Sequence, residues 1–153
     1  MKTIILSVLL MATGLGCAVA RPAISHRAFS DDLEAAKRLI ESGNRRQALD
    51  ELSMLLDMDP RNEEARLLRA VAYQGLDEFP LAIQDYEAVL QRNPSSLKAH
   101  YNLGMIYAFK LNDREKALRH FDRFLSQDPS HPKSFTVAKI MCSVDEGRSE
   151  RSP

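Results

Sequence analysis

The sequence predicts an all-α fold, a short right-handed solenoid of three helix–turn–helix repeats closed by a C-terminal capping helix. Three observations point there. Asp/Asn-Pro steps recur at Asp59-Pro60, Asn93-Pro94 and Asp128-Pro129, with the prolines 34 and 35 residues apart. Each proline ends a stretch with one apolar pattern: Ala48, Leu52, Leu55, then Ala82, Tyr86, Val89, then Ala117, Phe121, Phe124. Those offsets put the residues on one helix face, and a proline disfavours helix in the residue before it. Upstream of each stretch lies a second helical segment with a small residue at its middle, Ala36, Ala70 or Gly104. Small residues there let two helices approach closely. A recurrence at this period is the signature of a repeat array.

The first element is residues 1–20. Lys2 is followed by an apolar run, Ile4 to Met11, and then by small residues ending in Cys17-Ala18-Val19-Ala20. A positive start, a short apolar core and a small-residue end describe a secretory signal peptide. The run is too short for a membrane span of ~20 residues. Two removal routes are open. Ala18-Val19-Ala20 offers cleavage after Ala20, which releases a soluble protein. Gly16-Cys17 resembles a bacterial lipobox, although Gly14 and Leu15 depart from that pattern. Cleavage before Cys17 would leave Cys17 acylated, and each buried CH₂ of its chains contributes about 0.8 kcal/mol to anchoring. The expected location is the bacterial periplasm, soluble or anchored, with membrane contact only through Cys17.

Residues 21–28 read as a flexible linker, 29–144 as the repeat domain and 145–153 as a flexible tail. The repeats fall at about 29–62, 63–96 and 97–131, and the cap at 132–144. Within the repeats, Ser42-Gly43-Asn44, Gly75-Leu76-Asp77 and Leu111-Asn112-Asp113 separate the first (A) helix from the second (B). Gly43 and Gly75 suit helix C-termini. The third repeat carries one extra residue, expected at Leu111–Arg114. Asp31-Asp32 and Glu63-Glu64 read as helix starts that complement the dipole. The segments after Asn93 and Asp128 are expected to supply N-cap side chains. In the cap, Phe135, Ala138 and Cys142 are expected to continue the packed A-helix face, with Cys142 a buried apolar residue. Lys133, Thr136 and Lys139 are the polar side.

These residues resemble the tetratricopeptide repeat, whose pattern includes Leu-Gly-x2-Tyr, Ala-x3-Phe and Pro. The third repeat matches best, at Leu103-Gly104, Tyr107, Ala117, Phe121 and Pro129. The second matches at Ala70, Tyr73, Ala82, Tyr86 and Pro94. The first is degenerate, with Leu39 and Leu52 in place of aromatics. The resemblance covers about Phe29 to Pro129.

Composition and motif exclude several classes. Lys+Arg and Asp+Glu both number 21, so the basic excess of a nucleic-acid binder is absent and no such partner is expected. Two cysteines exclude a disulfide-dense scaffold and a four-Cys zinc site. His26, His100, His120 and His131 form no metal-ligand motif, and there is no phosphate loop or nucleophile elbow. The expectation is a protein that is not an enzyme and carries no cofactor or metal. An enzyme with a site assembled from distant residues is the minor alternative.

The resemblance implies binding of a protein or peptide segment on the concave face lined by A helices. Carried over to this chain, the groove positions are Leu33, Lys37 and Ile40, then Leu67, Val71 and Gln74, then Lys98, Tyr101, Met105, Ala108 and Phe109. The set is mostly apolar and suits an amphipathic helix or an apolar extended segment. The family's carboxylate clamp survives only in part, because Leu68 stands at its central Asn. Two alternatives remain at this stage: the groove is open, or it is filled by its own chain. The leader and size resemble short envelope members of the family that assist pilus or secretin assembly. An adaptor that regulates an envelope protease or cell-wall enzyme is the second reading.

Overall fold

The computed structural model describes the backbone of residues 26–146 and the side chains of residues 29–144. Among the described residues seven helices follow one another: α1 (His26–Glu41), α2 (Arg45–Met58), α3 (Glu63–Gly75), α4 (Phe79–Arg92), α5 (Leu97–Phe109), α6 (Arg114–Gln127) and α7 (Ser134–Glu146). Among the described residues there is no strand, and no helix is long and apolar enough to cross a membrane. Each helix packs on the next in chain order, and α1 also touches α3. This is an all-α helical solenoid with A helices α1, α3 and α5, B helices α2, α4 and α6, and α7 as the cap. The expected leader at 1–20, with Cys17, and residues 147–153 lie outside the described residues.

The recurring apolar residues build two cores. Leu33, Ala36, Ala48, Leu52, Leu55, Leu56 and Ala65 form one, between α1, α2 and the start of α3. The larger one runs from Leu67 to Val137 and centres on Tyr86, Leu103, Ile106, Phe121 and Phe124. Complete burial of each such side chain stabilises by roughly 1.5–3 kcal/mol. Ala36 and Ala70 are fully buried. A Cβ on Gly104 would overlap the Phe121 ring, so α5 leaves room there for the ring from α6.

The Asp/Asn-Pro steps make a repeated turn. Asp59, Asn93 and Asp128 each accept, at Oδ1, the backbone N–H two residues on, at 3.0, 3.2 and 3.1 Å. These are Asx-turns, and the intervening proline has no N–H to place. A second link recurs 34 residues apart. Arg66 Nη2 donates to Pro60 O (2.7 Å), His100 Nε2 to Pro94 O (3.0 Å), and Ser134 Oγ to Asp128 O (3.0 Å). Helices α3, α5 and α7 thereby each grip the turn that precedes them.

Several local expectations are corrected. Helix α1 begins at His26, inside the expected linker, so Asp31 and Asp32 lie beyond its first turn. In the A–B turns the left-handed residues are Gly43 (φ 85), Asp77 (φ 60) and Asn112 (φ 52), and Gly75 remains helical. Gly75 has a different reason, because a Cβ there would overlap the Arg45 side chain. The extra residue of the third repeat enters at Lys110-Leu111, ahead of the left-handed Asn112. Ser96 caps nothing with its side chain, since its Oγ donates to Glu63 Oε1 at 3.0 Å. Asn93 Nδ2 donates to the same carboxylate, so Glu63 ties the end of α4 to the start of α5.

The cap is rotated from expectation. Ser134 and Val137 are buried, and Ile140 and Met141 pack on the larger core. Phe135, Ala138 and Cys142 are exposed. The cause is arithmetic. The extra residue near Lys110 displaces α6 and Pro129 by one, but α7 repeats α5 at a shift of 34. Counting from Pro129 therefore misplaces the packed face by one residue, or 100° of helix. Ala138 falls where Ala70 and Gly104 fall, facing the place of a B helix that α7 does not have among the described residues.

Candidate functional site: the A-helix groove

The groove positions fall at matching places on α1, α3 and α5. Leu33 and Leu67 are 9% and 8% exposed and belong to the cores, so they form the floor. Val71, Tyr101, Met105 and Ala108 are half-buried and pack on the larger core, leaving an edge outward. Ile40 does the same on the smaller core. Phe109 is 56% exposed at the far end of α5. Lys98 is exposed at its near end. Lys37 pairs with Glu34 at 3.8 Å. Gln74 is partly committed to the core, since its Oε1 accepts from Tyr86 Oη at 3.2 Å.

Beside this row lies a cleft of about 490 Å³, bounded by Glu64 and Leu67 of α3, Leu97 and Lys98 of α5, and His131. It meets a smaller cavity of about 100 Å³ under Tyr101, walled by Asn102, Phe124, His131 and Lys133. Lys133 Nζ stands 4.1 Å from the Tyr101 ring centroid, a cation–π contact. The Tyr101 and Phe124 rings also touch, with centroids 5.7 Å apart. His131 and Lys133 precede α7 and were not among the sequence-derived site residues. Their position is set by the turn after Asp128, which local pattern reveals only once the shift of α7 is known.

Two polar pairs on the A–B interfaces, each with one buried partner, also escaped sequence reasoning. Asp85, 3% exposed, accepts from Arg69 Nε (2.7 Å), Arg69 Nη2 (2.8 Å) and Arg66 Nη1 (3.3 Å). The hydrogen bonds to Asp85 hold the Arg69 guanidinium above its ordinary value. In the third repeat the places of Arg66 and Asp85 are taken by His100 and His120, whose Nδ1 atoms are 3.1 Å apart. His100 donates Nε2–H to Pro94 O, so its Nδ1 is the acceptor and His120 Nδ1 carries the proton. The His120 ring stacks on Tyr107, with centroids 5.7 Å apart and planes 7° apart. Burial first, then His100 and Arg119, lower His120 to about 4. Among the described residues, no group of three or more His, Cys, Asp or Glu is placed to hold a metal ion. These pairs are structural in placement, since each joins an A helix to its B helix.

The tetratricopeptide repeat pattern matches residues 33–83 and 72–132. The chain belongs to the tetratricopeptide repeat family. Solved structures share its fold at low identity. A tetratricopeptide repeat protein from Parabacteroides merdae is 22% identical with a TM-score of 0.70, over 85% of this chain and 50% of that one. The first such domain of Spaghetti (RPAP3), bound to the HSP90 peptide SRMEEVD, is 23% identical with a TM-score of 0.72, over 82% and 99%. PilW, a type IV pilus biogenesis factor, is 24% identical with a TM-score of 0.71, over 82% and 57%. The chain spans about half the length of the Parabacteroides merdae protein.

Proposed function

We propose that this tetratricopeptide protein is a non-catalytic interaction module that holds an apolar or amphipathic segment of a partner protein along α3 and α5. One observation carries the reading: Val71, Tyr101, Met105 and Phe109 form a partly exposed apolar row beside the 490 Å³ cleft. Edges of buried apolar residues bind by covering surface that water otherwise wets. The peptide held by the RPAP3 domain supports the use of this fold for segments of chain. The export-type leader and the likeness to PilW support an envelope location and a part in pilus or secretion assembly.

The test has two parts. Mass spectrometry of the mature N-terminus distinguishes acylated Cys17 from a start at Arg21, and an uncleaved Met1 would contradict export. Val71→Glu with Met105→Glu should abolish co-purification of the partner while helicity and cooperative melting persist. Unchanged co-purification would remove the groove from the function.

A further inference from the structure

The apolar row does not end at α5. The turn contacts of Arg66, His100 and Ser134 put α3, α5 and α7 in one alignment, 34 residues apart. Leu33, Leu67, Tyr101 and Phe135 therefore occupy the same position on four successive A-type helices. Their exposure rises along the row: 9% and 8% for the leucines, half-buried for Tyr101, and 82% for Phe135. Phe135 is the most exposed large apolar side chain among the described residues. Nothing in the packing of α7 calls for a phenylalanine there, since Ser134, Val137, Ile140 and Met141 make its contacts.

Charge gathers at the same end. Lys98 and Lys133 wall the small cavity under Tyr101. Lys139 lies one turn beyond Phe135 on the same face of α7. Among the described residues these three lysines meet no carboxylate within ion-pair distance, whereas Lys37, Lys110 and Lys116 each do. The α1 and α3 side of the groove carries Glu34 and Glu64, both exposed, and Glu64 faces Lys98 across the 490 Å³ cleft. Like charges within a Debye length of ~8–10 Å raise the local potential, and an acidic ligand relieves it.

We propose that α7 extends the groove, and that Phe135 with Lys98, Lys133 and Lys139 receives an acidic linear segment of a partner protein whose apolar side chain covers Phe135. This rests on the groove reading above and gives it a polarity, with the acidic part of the ligand at α7. The lysines steer and orient the segment, and the phenylalanine supplies the apolar contact that holds it.

The experiment screens the full chain against an array of random decapeptides beside three variants: Phe135→Ala, Lys98→Glu with Lys139→Glu, and Met105→Glu. The expected winners combine Asp or Glu with Leu or Phe. Phe135→Ala should weaken them about tenfold, and the charge reversal should move enrichment to Lys- and Arg-bearing peptides. All three α7-end residues are exposed, so melting should be unchanged; if the double variant unfolds, Phe135→Ala alone decides. Winners lost only in Met105→Glu overturn the α7 extension and leave the groove standing. No winners, or winners indifferent to Met105→Glu, overturn the groove itself. A dimer in sedimentation that Phe135→Ala dissociates assigns Phe135 to a second copy and overturns the proposal.

Discussion

Arg69 and Asp85 are joined by two hydrogen bonds, Nε to Oδ2 at 2.7 Å and Nη2 to Oδ1 at 2.8 Å, across the α3–α4 interface. The two partners are unequal in solvent. The carboxylate side chain is 5% exposed and the guanidinium side chain 22%. Losing Asp85 leaves arginines that can turn to water. Losing Arg69 leaves a buried charge with Arg66 as its remaining partner at 3.3 Å. Arg69→Met should therefore cost about 3 kcal/mol and Asp85→Leu clearly less. Urea unfolding of the two variants checks the order, and the reverse order would contradict the geometry.

His120 sets a pH dependence. In the unfolded chain its imidazole takes a proton near 6.5. In the fold it does so only at about 4, because of burial, then His100 and Arg119. The unfolded state binds more protons between those values. The contribution is thus fully present above pH ~6.5 and is lost as pH falls toward 4. With a half-buried ring, screening leaves about 1–2 kcal/mol of it. The urea midpoint at pH 7.5 should exceed that at pH 5.0, and His120→Gln should reduce the difference. An equal difference in the variant would assign it to other groups.

Gly104 and Phe121 test the close approach of α5 and α6. Gly104→Ala should destabilise by about 1–3 kcal/mol, because the fully buried Phe121 ring must move. Phe121→Ala should cost about 3–5 kcal/mol by opening a cavity. In the double variant the methyl added at position 104 finds part of that cavity, so the two costs should sum to more than the measured total. Strict additivity would place the helices farther apart.

Cys142 tests the rotation of α7. It is exposed. A thiol reagent should label the native chain at a rate within a few fold of the urea-unfolded chain. Labelling only after unfolding would return Cys142 to the packed face.

The repeat architecture was legible because it is written as spacing. The Asp/Asn-Pro turns at 60, 94 and 129, the B-helix faces such as Ala82, Tyr86 and Val89, and the close approach at Gly104 all follow from local rules. Three features were not legible, each for a physical reason. The rotation of α7 depended on the turn after Asp128, where Ser134 bonds Asp128 O rather than Pro129 O and returns α7 to a shift of 34 from α5. The Arg69–Asp85 and His100–His120 pairs each bury one polar residue, Asp85 or His100, against a half-buried partner from the neighbouring helix, which no local pattern shows. Leu33 and Leu67 carry a groove position and a core position at once, and an apolar residue reads the same in either place.

The central claim is that the A-helix face around Met105 is where a partner sits. A photo-crosslinking residue at Met105, compared with one at the exposed Asp122 of α6, tests it in the native cell. The account predicts one discrete protein adduct at position 105, absent at 122 and lost when Val71→Glu is added. Adducts only to its own chain, or the same adducts from both positions, would contradict it.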